Sequence, residues 1–398
     1  MASDRATFIA RAIGYLRREG ASKFVTRLMK PSSWRPRHDV LAQYAFLQAP
    51  SVGLHPDVAK PARESVNWVM MPFSKGSGGP QNICRFIHML EKRGFRCCIV
   101  VAAGPWFGTP EQVRERIRSW YFPVEASVVL GIENAPPAHI TIATAWPTAY
   151  DVRRFQATRH RCYFVQDLEL LFSPAGSDSA FCEATYRFGF EGITAGAWLE
   201  HKLASDYGMR TRSVGFSCDR TIYWPRLRQN NGRRVFFYGR PSSERRAFEL
   251  GLLVLTDVCK AHPDVEVIFA GGALDEYEIP FSHRCVGVMD FEGLAHLYSE
   301  CDVALVLSMT NLSLLPLELM ACGLPLVSNR APCTEWLLTD DIAQLAEPTI
   351  DALRAAVCEV LENPERREQL RAAGLVAAAN TSWDREGDKM AATLTSLG

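Results

Sequence analysis

Glu318 is an acidic residue that lies where the sequence predicts the first turn of a helix. The segment from Thr310 to Val327 that contains it has the pattern of a loop, a helix start, a small-residue turn and a buried strand. In doubly wound α/β domains, backbone N–H groups at a helix N-terminus bind phosphate, and a carboxylate accepts a hydrogen bond from a sugar hydroxyl. The pattern around Glu318 therefore predicts a nucleotide site.

Three arginines form a second cluster that could hold an anion. Arg240, Arg245 and Arg246 follow a strand predicted at 234–238 and stand at the start of a helix predicted over 243–261. Positive charge at a helix N-terminus opposes the helix dipole. A bound diphosphate removes that conflict, and cations stabilise the charge that develops when a nucleotide-sugar bond breaks. We therefore favour an anion site here over a solvated basic helix start.

A glycine-rich loop in the first half of the chain is a further candidate. Gly76, Gly78 and Gly79 belong to a loop predicted at 73–80, which follows a strand predicted at 66–71. Glycine allows the backbone to approach a ligand closely. Such turns occur in every doubly wound fold, so the position after the first strand supports the assignment more than the composition does.

These residues are carried by two successive series of strands and helices. The first series has strands predicted at 66–71, 96–102, 127–130, 139–143, 162–165 and 192–195, with a helix at 81–92. After a polar linker at 226–233, the second series has strands predicted at 234–238, 265–270, 284–286, 302–307 and 324–328. Helices of the second series are predicted at 243–261, 291–300, 350–361 and 364–379. Wholly apolar strands alternating with helices predict parallel sheets covered on both faces, with ligands at the carboxyl ends of the strands.

From Val66 onward the chain resembles the family-four glycosyltransferases, which have the GT-B architecture of two doubly wound Rossmann-like domains around a donor site. The segment 310–318 is similar to the family's two-glutamate region, with Glu318 as the second glutamate and Thr310 where the first is expected. Thr310 cannot supply the carboxylate that usually contacts the transferred sugar. The resemblance implies that Glu318 accepts from a ribose hydroxyl, and that the N–H groups of Ser313 and Leu314 face phosphate. The donor-binding residues implied are Gly78, Gly79, Gly239, Arg240, Arg245, Thr310, Asn311, Ser313, Leu314 and Glu318.

Segments on the predicted acceptor side of the site resemble one particular group of these enzymes. The segment 162–169 is similar to a strand and His-Asp pair of the family, with Gln166 in the place of the histidine. With the segments 143–150, 238–241 and 247–250 it most resembles the WsaF-type bacterial rhamnosyltransferases, which use deoxythymidine-diphosphate (dTDP) rhamnose to build surface glycans. The resemblance implies acceptor-side roles for Trp146, Thr148, Gln166, Asp167 and Glu169, and catalytic roles for Arg240, Arg245, Gln166 and Asp167. The alternative for Trp146 and Tyr163 is that both are simply core residues.

The function implied is transfer of a sugar, L-rhamnose from dTDP-L-rhamnose, to a hydroxyl of a growing glycan or lipid-linked glycan. Family-four resemblance implies retention of anomeric configuration, no metal and no cofactor other than the nucleotide-sugar donor. Because the histidine and the first glutamate are replaced, the alternative is a non-catalytic GT-B scaffold or regulatory protein in a glycan-assembly complex. An NAD(P)-dependent enzyme is disfavoured because neither first strand is followed by a Gly-x-Gly-x-x-Gly fingerprint.

The composition of the chain argues against several other classes of protein. The 398 residues carry no formal net charge, which argues against a generic nucleic-acid binder. No apolar run approaches the length of a spanning helix, and no signal-peptide pattern is recognised. The twelve cysteines contain no Cys-x-x-Cys and the histidines make no ligand pattern, so we expect reduced thiols, no metal and a cytoplasmic location.

Four segments divide the chain in this interpretation. They are a basic amphipathic N-terminal extension at 1–40, an acceptor-side Rossmann-like domain at 41–228, a nucleotide-sugar-binding domain at 229–381 and a C-terminal helix at 382–398 that crosses back to the first domain. Residues 1–38 hold nine Lys or Arg residues against two acidic ones, with apolar residues at helical spacing. Such a segment suits peripheral contact with an anionic membrane at the inner face of the cell membrane, or a helix packed on its own domain.

Deleting residues 1–38 should reduce sedimentation with anionic liposomes and leave transfer to a soluble acceptor intact. A basic amphipathic segment binds such a surface through both charge attraction and apolar burial. Equal liposome binding with and without the segment would support the packed-helix alternative instead.

Overall fold

The computed structural model describes residues 39–102, 108–229 and 232–397. The N-terminal segment 1–38, for which the sequence predicts membrane contact, lies outside the described residues. Residues 39–49 contain a short helix, Val40–Gln43, and a 3-10 turn, Ala45–Gln48. From Pro50 onward the chain forms one compact unit.

The first half of this unit is built on a seven-stranded parallel sheet with the order β3-β2-β1-β4-β5-β6-β7. Its strands are β1 Ser65–Met70, β2 Arg96–Val101, β3 Ser127–Leu130, β4 Ala138–Ala143, β5 Thr158–Val165, β6 Glu191–Ala195 and β7 Arg210–Val214. The helices of this half are Pro56–Ala59, Gly78–Glu91, Pro110–Trp120, Trp146–Arg154, Ser177–Thr185 and Ala197–Tyr207.

The second half is built on a six-stranded parallel sheet with the order β10-β9-β8-β11-β12-β13. Its strands are β8 Arg233–Tyr238, β9 Val265–Ala270, β10 His283–Cys285, β11 Val303–Val306, β12 Leu326–Asn329 and β13 Gln344–Ala346. The helices of this half are Phe248–Ala261, Phe291–Ser299, Leu315–Ala321, Pro332–Glu335, Ile350–Glu362, Pro364–Ala379 and the final Trp383–Thr395.

Apolar residues on both faces of each sheet explain why both sheets are buried. Along β1, Val66 and Trp68 belong to one buried cluster, and Val69 belongs to the cluster on the opposite face. Along β8, Phe236 and Phe237 divide between two further clusters in the same way. Successive side chains of a strand point to opposite faces, so a continuously apolar strand requires helices on both sides.

The strand order of each sheet reverses at one place, and this determines where a ligand can bind. The first sheet reverses between β1 and β4, and the second between β8 and β11. Loops that leave the carboxyl ends of two such strands diverge to opposite faces, which opens a crevice between them. The predicted site residues after β1, β5, β8 and β11 stand at these ends.

The final helix returns to the first half of the unit. Trp383–Thr395 packs on Gly78–Glu91, and Arg93 Nε donates to Asp388 Oδ1 at 2.8 Å. The Gly215 N–H group, just after β7, donates to Glu386 Oε2 at 2.6 Å. The domain boundaries at 40, 228 and 381 stay predictions.

Two helix starts differ from the sequence interpretation. The helix predicted from residue 81 begins at Gly78, so Gly78 and Gly79 lie in its first turn rather than in a loop. The helix predicted from residue 243 begins only at Phe248, because Ala247 has a left-handed φ of 48° after the 3-10 turn Glu244–Arg246. The arginine cluster therefore precedes that helix and does not occupy its first turn. The conflict with the helix dipole that the sequence predicted does not arise.

Two edge strands were not predicted. β7 has the mixed sequence Arg-Thr-Arg-Ser-Val, and β13 has only three residues. An edge strand has one side exposed, so it needs less apolar sequence than the central strands.

All twelve cysteines are free thiols, and only Cys285 is exposed. Among the described residues, no helix has the length and apolar character needed to cross a bilayer.

Gly251→Ala should lower the free energy of unfolding. A Cβ at Gly251, within the helix Phe248–Ala261, would lie 2.2 Å from the ring of buried Phe237. Overpacking of this kind costs about 1–3 kcal/mol, which exceeds the gain in helix propensity. The matched control is Gly78→Ala, because a Cβ there has no neighbour within 4 Å. Denaturant unfolding of the two variants should separate them, and equal stability would contradict the packing argument.

Candidate functional site

A cavity of about 650 Å³ lies between the carboxyl ends of the two sheets. Eleven of the residues predicted from sequence line it: Gly78, Gly79, Trp146, Gln166, Asp167, Glu169, Arg240, Arg245, Ser313, Leu314 and Glu318. Four predicted residues do not line it: Thr148, Gly239, Thr310 and Asn311. The cavity therefore unites the two predicted halves of the site, although some residues have other roles.

The helix start at Gly78 forms one wall and orients Gln166. The side-chain N–H of Gln166 donates to the Gly79 carbonyl at 3.2 Å, and Asn82 Nδ2 donates to Gln166 Oε1 at 3.3 Å. Both ends of the Gln166 amide are thus held by one helix. Unpaired N–H groups in a first helical turn are available to an anion.

Glu169 is a buried carboxylate on the wall of the cavity that the first half of the unit forms. Its Oε2 accepts from the Trp146 N–H group at 2.8 Å, and its Oε1 accepts from the Tyr163 hydroxyl at 3.2 Å. Burial raises the pKa of Glu169 to about 7, and these two donors oppose the shift. Tyr163 is therefore a fully buried core residue that positions Glu169, whereas Trp146 lines the cavity.

Thr148 has a capping role. Its hydroxyl accepts from the N–H groups of Thr144 and Ala145 at 3.0 and 3.1 Å, and the side chain is fully buried. It therefore satisfies the start of the helix Trp146–Arg154 instead of facing an acceptor.

The three arginines have different surroundings. Arg245 Nε lies 3.4 Å from Asp167 Oδ2, and its guanidinium lies over the Phe172 ring at 4.0 Å. Arg246 Nη1 donates to the Asn311 carbonyl at 2.9 Å, and its Nη2 lies 3.8 Å from Asp167 Oδ2. The sequence pattern grouped Arg246 with the other two arginines as an anion site, and the structure shows that its guanidinium is also engaged within the protein, by Asp167 and Asn311.

Arg240 is the arginine best suited to meet an anion. Within the described part of the chain it forms no ion pair within 4.0 Å, and its buried Nε has no hydrogen-bond partner. Arg240 as a whole is half-buried. A partly buried cation without a carboxylate loses hydration, and an anionic ligand offsets that loss. Gly239 beside it serves packing, since a Cβ there would lie 3.1 Å from Phe269 and 3.2 Å from Leu274.

Thr310 and Asn311 lie beneath the cavity instead of lining it. Thr310 Oγ1 donates to Asp167 Oδ2 at 3.1 Å, and the Asn311 N–H group donates to Asp167 Oδ1 at 2.7 Å. Both residues are fully buried, so the sugar contact expected where the family has a glutamate does not arise from Thr310. Ser313 and Leu314 do reach the cavity, where the loop enters the helix Leu315–Ala321.

Glu318 lies on the opposite wall from Glu169 in a similar electrostatic state. Burial raises the pKa of Glu318 to about 7, while a hydrogen bond from Tyr223 and the charge of Arg85 oppose the shift. A raised pKa in a cleft is typical of functional carboxylates. Tyr223 had no sequence signal because it belongs to an irregular segment between the two sheets, and it joins the site only through the fold.

One group of potential metal ligands lies elsewhere. Atoms of His262, Cys358 and Glu362 come within 4.8 Å of one another, and none of these three residues lines the cavity. The group joins two helices and was invisible as a sequence motif. Arg233 Nη1 lies 3.4 Å from His262 Nδ1, which places a positive charge next to any cation bound there.

Comparisons with known proteins agree with this fold. Residues 233–358 match the family model described as the C-terminal domain of WsaF. The sucrose-phosphate synthase of Thermosynechococcus elongatus has a TM-score of 0.66 at 15% identity, covering 84% of this chain and 98% of that one. HepE of Anabaena, solved in complex with UDP-glucose, has a TM-score of 0.65 at 16% identity, covering 83% and 99%. The chain has the GT-B fold, and residues 233–358 are similar to the C-terminal domain of WsaF. The fold class predicted from sequence is confirmed.

A longer relative extends the similarity to most of the chain. The O-antigen biosynthesis protein RfbC of Myxococcus xanthus is 34% identical over 353 residues, which cover 85% of this chain. The same alignment covers 28% of RfbC, so the chain spans less than a third of that relative's length.

Glu318→Gln should change how stability depends on pH. Because folding raises the pKa of Glu318 from 4.5 to about 7, its contribution to stability is present at low pH and is lost as pH rises through about 7. The amide does not titrate, so the variant should gain stability relative to wild type between about pH 5 and pH 8, by about 3 kcal/mol at most. Urea unfolding across this range measures the gain. The exposed Glu365→Gln serves as control, and parallel pH profiles for Glu318→Gln and wild type would contradict the assignment.

Proposed function

We propose that this chain is a glycosyltransferase that uses a nucleoside-diphosphate sugar as donor and a glycan hydroxyl as acceptor. The observation that carries the proposal is a single cavity in which Arg240 and Glu318 face a wall containing Gln166 and Glu169. Arg240 has no carboxylate partner among the described residues, and Glu318 is buried. A free cation suits a diphosphate, and a buried carboxylate suits a ribose hydroxyl. HepE, a structure of the same fold, was solved with UDP-glucose, and RfbC is named for O-antigen biosynthesis.

Each side of the cavity has a distinct part in the proposed reaction. Arg240 and Arg245 stabilise the negative charge of the departing diphosphate, and the first turn at Gly78 adds N–H groups to the same anion. Gln166 and Glu169 orient the acceptor, since both side chains are held in fixed positions. The reaction retains configuration, with the leaving phosphate taking the acceptor proton, so that positioning and charge stabilisation supply the catalysis.

The donor we propose is dTDP-L-rhamnose. Trp146, Phe172 and Tyr238 line the cavity. Thr310, which stands where the family has its first glutamate, lies beneath the cavity and offers no carboxylate to a hexose hydroxyl. Aromatic walls suit a 6-deoxyhexose, whose C6 methyl group is apolar. The acceptor that we propose is a growing surface glycan, which is linked to a lipid if the enzyme works at the membrane. Residues 1–38 would then hold the cytoplasmic enzyme at the membrane surface.

A non-catalytic GT-B protein is the second candidate. Thr310 and Gln166 replace the glutamate and histidine of family-four enzymes, and this observation favours lost turnover. Such a protein would bind the nucleotide and transfer no sugar. Donor turnover with a surface-glycan acceptor distinguishes the two candidates.

Arg240→Ala and Arg245→Ala should each lower turnover about 10- to 100-fold, because a charge-assisted contact contributes about 1.5–3 kcal/mol. Arg240→Ala should leave thermal stability unchanged or raised, since Arg240 has no carboxylate partner among the described residues. Steady-state kinetics measure the loss, with the exposed Arg212→Ala on β7 as control. Near-normal turnover in both variants would place the diphosphate elsewhere.

A 6-deoxyhexose donor should be preferred over the corresponding 6-hydroxy sugar. An apolar pocket discriminates by about 1–3 kcal/mol, so we expect preference and not complete exclusion. Competition between dTDP-rhamnose and dTDP-glucose measures the ratio directly. Equal or better use of glucose would overturn the rhamnose proposal and leave the transferase proposal standing.

A further inference from the structure

A buried polar network joins the two sheets beneath the cavity. Asp167 follows β5, and its Oδ1 accepts from the N–H groups of Leu168 at 2.8 Å and Asn311 at 2.7 Å. Its Oδ2 accepts from the Thr310 hydroxyl at 3.1 Å. Thr310 and Asn311 belong to the loop after β11, so these bonds cross from one sheet to the other.

The Asn311 side chain crosses the same junction. Its Nδ2 donates to the carbonyls of Gln166 at 3.0 Å and Ala195 at 2.7 Å, both in the first half. Its Oδ1 accepts from Trp336 Nε1 at 2.9 Å in the second half. Every polar group of this fully buried amide is thus paired, and removing one partner would leave another unsatisfied.

The network also fixes Arg245. Asp167 and Phe172, both in the first half, hold the Arg245 guanidinium by an ion pair of 3.4 Å and a cation–π contact of 4.0 Å. The Arg245 carbonyl accepts from the Met309 N–H group at 2.9 Å, next to Thr310. The direction of this cation therefore depends on both halves being held together.

We infer that Asp167, Thr310 and Asn311 form a positioning unit that fixes the separation of the two halves and aims Arg245 into the cavity. Asp167 is then not the group that takes a proton from the acceptor, because both of its oxygens are already engaged. The expected loss of turnover when this unit is disrupted rests on the proposed transferase function. The expected change in the separation of the two halves does not, because the network is made of the protein's own groups.

The test compares Thr310→Val with Thr310→Ser. Valine has the shape of threonine without the hydroxyl, and serine keeps the hydroxyl. Thr256→Val is the matched control, since the Thr256 hydroxyl donates to the Leu252 carbonyl at 2.8 Å within one helix. We expect Thr310→Val to raise the radius of gyration in small-angle X-ray scattering without ligand and to lower kcat about tenfold or more, with a smaller change in KM. Thr310→Ser and Thr256→Val should behave like wild type.

Asn311→Ala should have a larger effect in the same direction, because three side-chain bonds are lost. If that variant does not fold, Thr310→Val decides the question. A radius of gyration and kcat unchanged in Thr310→Val would overturn the inference, as would equal losses in Thr310→Ser and Thr310→Val.

If wild type transfers no sugar, the proposed function fails separately. The scattering comparison and the calorimetric affinity for deoxythymidine diphosphate then decide the inference. A weaker affinity and a larger radius in Thr310→Val support it, and wild-type values overturn it.

Discussion

Charge buried between two sheets has to be matched across the junction, and the site is organised around that requirement. Asp167 lies where both halves meet and is largely removed from water. A buried ion is stable only with an opposite charge and a full set of hydrogen bonds. Arg245, Arg246, Thr310 and Asn311 supply these from the second half, so the carboxylate of one sheet determines where the arginines of the other sheet point.

The two other carboxylates that line the cavity differ from Asp167 in their partners. Glu169 and Glu318 are buried with hydrogen-bond donors and without an ion pair among the described residues. Burial then dominates and raises the pKa of each to about 7. Such a group changes charge near neutral pH in response to a small change in its surroundings, for example when a ligand excludes water. The cavity therefore combines one ion-paired carboxylate, that of Asp167, with two carboxylates whose pKa values are raised by burial.

Much of the fold could be predicted from local sequence. Central strands such as β1 and β8 are continuously apolar, and this pattern is specific for buried parallel strands. The positions of Arg240, Arg245 and Glu318 followed, because the loops that carry them leave the carboxyl ends of such strands. The start of the helix at Phe248 could not be predicted, since it depends on the left-handed backbone of Ala247. The edge strand β7 was missed because its polar sequence is stabilised by pairing with β6.

The sequence by itself determined the two-sheet architecture and the residue types offered to a ligand, because apolar periodicity and strand-end placement are local properties. Only the tertiary structure decided which of those residues reach the cavity. Thr310 and Asn311 lie within three positions of Ser313 in sequence, yet they form hydrogen bonds with partners more than a hundred positions away. Tyr223 and Phe172 enter the site without any motif. The reason is that a polar side chain bonds to whatever group the fold places next to it, and in this chain those groups come from the opposite sheet.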